Sequence, residues 1–110
     1  MDLKPNRICA LNDELRRNLL EGHAVISLGV AALGADAVAR IIKTIAVYDD
    51  FCHANGPHEE HDFGSFEADG AVIFFKIDYY DKGLTAAHSP DPADPSVTER
   101  VITIMLADEY

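Results

Sequence analysis

The sequence predicts an α+β domain, with two N-terminal helices packed on an antiparallel sheet of about four to five strands. Three observations predict it. Apolar residues recur at helical spacing in two stretches before residue 48, alternate with period two through 71–81, and run almost unbroken through 101–106. The 110 residues make a single domain, 1–110, long enough to bury one core without a disulfide or a structural metal.

Taken in order, Pro5 suits a first helical turn. Ile8, Leu11, Leu15 and Leu19 follow at helical spacing, with Asp13, Arg16 and Arg17 on other faces. Gly22 is a natural stop, so helix one is expected over Pro5 to Glu21, with Asn12 able to break it and cap a second piece. His23 to Leu28 reads as a strand. Gly29 and Gly34 bracket a small-residue turn, after which Asp36 is placed to cap a helix carrying Val38, Ile41, Ile42 and Ile45. Two ends are open to that helix, because Thr44 to Phe51 is β-branched and aromatic enough to be strand; a helix to about Lys43 and a strand from Ile45 is the favoured reading.

Residues 52–60 form a loop containing Asn55, Gly56 and Pro57. His61 to Glu67 and Ala71 to Asp81 then read as a hairpin turning at Ala68-Asp69-Gly70. On the second arm Ile73, Phe75, Ile77 and Tyr79 share the core face, and Val72, Phe74, Lys76, Asp78 and Tyr80 the other. A proline-rich loop spans Lys82 to Ser96. Arg100 to Ala107 is apolar on both faces, as a central strand should be. The expected core is Ile26, Leu28, Ile73, Phe75, Ile77, Ile102, Ile104 and Leu106.

The formal net charge is −10, unevenly spread. Met1 to Tyr48 carries six bases and five acids, whereas Asp49 to Tyr110 carries 14 acids and only Lys76, Lys82 and Arg100 as bases. Direct nucleic-acid binding, which needs clustered Lys and Arg, is disfavoured. An acidic surface suits solubility, cations or a basic partner. No apolar signal region precedes the two cysteines, Cys9 and Cys52, and no run is long enough to span a bilayer, so a reducing cytoplasm and free thiols are expected.

Four blocks stand in order in the second half. They are Glu60-His61-Asp62-Phe63-Gly64, Lys76-Ile77-Asp78-Tyr79-Tyr80-Asp81, Ser89-Pro90-Asp91-Pro92, and the run from Arg100 through Thr103 and Ala107 to Tyr110. With Leu11-Asn12-Asp13 and Gly29-Val30, the chain resembles a small family of bacterial proteins of unknown function, common on plasmids and other mobile elements. The resemblance implies a compact cytoplasmic domain and no particular reaction. It departs at Asn55-Gly56-Pro57, where the family tends to read Asn-Asp-Pro, so that this chain either does without that aspartate or uses Glu59 in its place.

Two clusters carry candidate chemistry. Cys52, His53, His58 and His61 are of zinc-ligand type, with Glu59, Glu60 and Asp62 beside them, but no recognised ligand spacing joins them. No cofactor is therefore expected. His61, Asp62, Lys76 and Asp78 are candidates for acid–base catalysis if the hairpin brings them together, against a reading as an ion-paired sheet face. Glu60, Asp81, Asp91, Asp94 and Arg100 are candidates for binding. Cys9 is expected to be a small core residue, and His23 and His88 to face solvent. Three functions follow. The leading one is a non-enzymatic interaction or inhibitor protein that presents an acidic, nucleic-acid-like surface to a basic protein partner. The others are a small acid–base enzyme and a metal-binding domain.

Overall fold

The computed structural model describes residues 4–19, 23–49, 60–83 and 87–110. They form α1 (Lys4–Arg17), β1 (His23–Ile26), α2 (Leu28–Ala31), α3 (Ala35–Val47), β2 (Phe63–Ala68), β3 (Ala71–Asp81), β4 (Thr98–Leu106) and a closing 3-10 turn, Ala107–Glu109. The strands make one sheet in the order β1-β4-β3-β2. Residues of α1 and α3 meet its inner face in a single core, so the α+β expectation holds. The sheet is mixed rather than wholly antiparallel, because β1 pairs with β4 in parallel. Two helices separate β1 from β2, and a helical connection frees the chain from the antiparallel return that a tight turn imposes.

β2 and β3 form the expected hairpin, closed by the pair Ala68 and Ala71. Asp69 (φ 53°) and Gly70 (φ 80°) both adopt the left-handed conformation that a two-residue hairpin turn of this twist requires. β4 is central, between β1 and β3, which explains its apolar residues on both faces. Gly64 lets β2 pass close over the core. A Cβ there would lie 2.7 Å from the Tyr48 ring and nearer still to Phe75.

Ile73, Phe75, Ile77, Ile102 and Ile104 are buried as expected, joined by Val30, Ile41 and Ile45. Ile26 and Leu106 are half-buried against them. Leu28 is not core but 88% exposed. The chain leaves β1 at Ser27, whose hydroxyl caps α2 by accepting from Val30 N at 3.2 Å. Val30 enters the core in place of Leu28.

α3 continues to Val47, where a strand was expected from Ile45. Ala37, Ile41 and Ile45 are buried one turn apart, so completing the apolar stripe outweighs β-propensity. Gly34 occupies the cap position and Asp36 lies within the first turn, where its charge favours the helix dipole.

α1 is unbroken at Asn12, and its buried residues are Ile8, Asn12 and Arg16, with Leu19 buried just beyond its end. The face expected to be apolar is therefore rotated, leaving Leu11 and Leu15 half-buried. Arg16 is tolerated inside because it donates to the carbonyls of Ile45 (2.8 Å) and Tyr48 (2.9 Å) at the end of α3.

Two resembling blocks fasten the fold. Glu109 accepts from Ser27 Oγ (2.5 Å), Leu106 N (2.8 Å) and Gly29 N (3.0 Å), tying the closing turn to α2. Ser89 and Thr98 share a buried hydroxyl bond of 2.6 Å, and Thr98 donates to the Asp91 carbonyl at 2.8 Å, pinning the proline-rich loop to β4. Among the described residues, no helix is long and apolar enough to cross a membrane.

Candidate functional site

α1 crosses the inner face of the sheet where β3 ends and β4 begins, and its polar side chains gather three elements there. Asn12, fully buried, donates from Nδ2 to Tyr79 Oη (2.7 Å) and to the Glu60 carbonyl (2.9 Å). Its Oδ1 accepts from Arg100 Nε at 2.9 Å. Tyr79 donates onward to Glu60 Oε1 at 3.0 Å, and the Arg100 guanidinium lies 5.1 Å from the Tyr79 ring centre. Burial, aided by Asp62 and Glu60 and opposed by the Asn12 bond, drives the Tyr79 hydroxyl far above the ordinary tyrosine range. It is a fixed donor at neutral pH, not a base. Burial likewise pulls Arg100 down, against the pull of Tyr79 and Glu60.

One turn away on the same helix, Cys9 and Asp13 face His61. Cys9 Sγ lies 3.0 Å from His61 Nδ1, and Asp13 Oδ1 lies 2.9 Å from that same nitrogen. Asp13 Oδ2 is 3.8 Å from Cys9 Sγ, and Arg16 pairs with Asp13 Oδ1. Burial alone would raise Asp13, but its bonds from Arg16 and His61 outweigh it and hold the carboxyl below its usual range. His61 has a left-handed backbone, φ 56°, which costs a side-chain-bearing residue on the order of 1–2 kcal/mol. Its flanking carbonyls are clamped, Glu60 by Asn12 and Asp62 by Ile77 N at 2.8 Å. The clamp turns the imidazole toward α1. Cys9 is thus not a core residue but a half-buried thiol in a polar cluster.

A third feature lies where β3 runs beyond the end of β2. Asp62, Ile77, Asp78, Tyr79, Tyr80 and His88 line a cleft of about 420 Å³. Asp62 is half-buried there, and no ion pair neutralises it among the described residues. Burial raises its pKa first, and the charges of Glu60 and Asp78 raise it further, with His61 opposing. The cleft therefore combines desolvation with repulsion between carboxylates, and a cation entering it would relieve both.

The acid–base set splits along these lines. Lys76 and Asp78 pair at 3.3 Å on the outer face of β3. His61 turns to α1, whereas Asp62 faces the cleft that Asp78 also lines. Of the binding candidates, Glu60 is engaged by Tyr79, and Arg100 by Asn12 and the Pro92 carbonyl. Asp81, at the end of β3, and Asp91 and Asp94, in the proline-rich loop, each accept a backbone N–H from two residues on, Gly83 (2.8 Å), Ala93 (3.2 Å) and Ser96 (2.9 Å). His23 and His88 are exposed, His23 beside Glu99. Of the metal candidates, Cys52, His53 and His58 lie outside the described residues.

The model of a family described as a protein of unknown function, DUF3768, matches residues 26–109. This chain belongs to that family. No curated protein and no solved structure matches it. The DUF3768 span holds His61, Asp62, Lys76, Asp78 and Arg100 but stops short of α1, which supplies Cys9, Asn12, Asp13 and Arg16. Those four are the site residues that the sequence reading of this DUF3768 chain did not select. Their signal was spacing: positions 9, 12, 13 and 16 make a polar stripe along one helix face.

Proposed function

We propose that this protein is a non-enzymatic interaction protein whose acidic cleft receives a basic side chain of a protein partner, as a nucleic acid's phosphates would. The observation that carries this reading is Asp62, half-buried between Glu60 and Asp78 and raised by burial and by both charges. A guanidinium or ammonium group entering the cleft would meet Asp62 and Asp78, with Tyr79 and Tyr80 alongside for stacking. The net charge of −10 supports long-range attraction of such a partner. The turn of His61 toward α1, away from the Lys76–Asp78 pair, weighs against the acid–base alternative. The partner class that fits is a nucleic-acid-binding protein in the reducing cytoplasm, where Cys9 stays a thiol.

The experiment is affinity capture by the immobilised chain, with captured proteins challenged by salt and by duplex DNA. Partners should be basic, should elute steeply between about 50 and 500 mM salt, and should be displaced by DNA. Recovery of acidic partners alone, or retention indifferent to salt and DNA, would contradict the reading.

A further inference from the structure

We infer that Cys9, Asp13 and His61 form a binding site for a divalent transition metal of zinc type, independent of the acidic cleft. The donor atoms of the three side chains all lie within 4.8 Å of one another. A thiolate, an imidazole nitrogen and a carboxylate oxygen are the donors that zinc takes. The α1 spacing of Cys9 and Asp13, four residues apart, sets both over one face, and the clamped loop at His61 brings the third donor from the other side.

The distances fit. Sγ to Nδ1 is 3.0 Å, Nδ1 to Oδ1 is 2.9 Å, and Sγ to Oδ2 is 3.8 Å. Ordinary zinc bonds in a tetrahedron space such donors roughly 3.3–3.6 Å apart. Shifts of about half an ångström would therefore admit the ion. Three protein donors among the described residues leave a fourth position in the tetrahedron.

The arrangement also argues against a thiol nucleophile activated by histidine. A relay places the thiol on one ring nitrogen and the orienting carboxylate on the other. Here Cys9 and Asp13 both converge on Nδ1 of His61, and one ring proton cannot serve both. A cation bound at that point engages all three donors. Arg16 on Asp13, and Asn12 and Ile77 on the carbonyls beside His61, are the outer contacts that orient such ligands.

The test uses the full chain, kept reduced and titrated with cobalt(II) as the spectroscopic probe. One equivalent should bind, with a thiolate-to-cobalt charge-transfer band and the intense visible bands of tetrahedral cobalt, and zinc should displace it. Cys9→Ser should abolish the charge-transfer band, whereas Cys52→Ser should keep it. His61→Ala should weaken binding by at least ~10-fold, and circular dichroism should show both His61→Ala and Cys9→Ser folded. Zinc should also slow alkylation of Cys9 by at least ~10-fold. No thiolate band at saturating cobalt, a band retained in Cys9→Ser, or alkylation of Cys9 unaffected by zinc would overturn the inference.

Discussion

Replacing Asn12 by alanine removes a side chain that joins α1, the loop before β2, β3 and β4. Three hydrogen bonds go with it, to Tyr79 Oη, the Glu60 carbonyl and Arg100 Nε. Neutral bonds contribute on the order of 1 kcal/mol each, and one to a charged group about 1.5–3 kcal/mol. The expected loss is therefore roughly 3–5 kcal/mol, a large share of the ~5–15 kcal/mol that holds a domain of this size. Urea unfolding of wild type and Asn12→Ala reads the difference as a shift in midpoint at unchanged slope. A double-mutant cycle with Tyr79→Phe should give a coupling of about 1 kcal/mol, since the two share a bond. A loss below about 1 kcal/mol would mean that water satisfies the exposed partners and that α1 is not locked through Asn12.

Other variants test the core and the carboxylates. Phe75→Ala, at a fully buried position stacked edge-on against Tyr48, should cost about 3–5 kcal/mol in denaturant melts; a loss under about 1 kcal/mol would mean that β3 buries its other face. Asp13 and Asp62 should give opposite pH signatures in thermal melts between about pH 2.5 and 7. Asp13 is lowered in the folded state, so Asp13→Asn should lose stability at neutral pH, and the deficit should fade as pH falls below 3.8 and through the folded pKa. Asp62 is raised, so Asp62→Asn should gain stability at neutral pH, and the gain should vanish as pH falls through the folded pKa and below 3.8. Equal signs for the two variants would contradict the charge assignments.

The sheet was legible because its signals are local. Period-two alternation gave the core face of β3, the Asp69-Gly70 pair gave the turn, and two apolar faces gave the central place of β4. α1 was legible as a helix but not in its facing. Asn12 and Arg16 are buried by partners far away in sequence, the carbonyls of α3 and the side chains of β3 and β4, and no local pattern reports those partners. The parallel pairing of β1 likewise depends on where two helices return the chain. His61 and Asp62 were legible as chemically active types, and alternation correctly placed Lys76 with Asp78. The divergence of His61 from that pair comes from the left-handed backbone at His61, fixed by Asn12 and Ile77 on either side. Cys9 and Asp13 became site residues only once that loop folded over α1.

The claim that the cleft takes a basic group is tested most directly by titrating isotopically labelled protein with an arginine-rich peptide and following backbone amide shifts. The shifts should centre on Asp62, Asp78 and Tyr80 beside the cleft. Affinity should fall steeply with salt, and Asp62→Asn with Asp78→Asn should weaken binding by about ten-fold or more without unfolding the domain. Shifts spread evenly over Asp36, Glu67, Asp69 and Asp108, or unchanged affinity in the double variant, would show the negative charge acting as a diffuse field with no seat for a partner in the cleft.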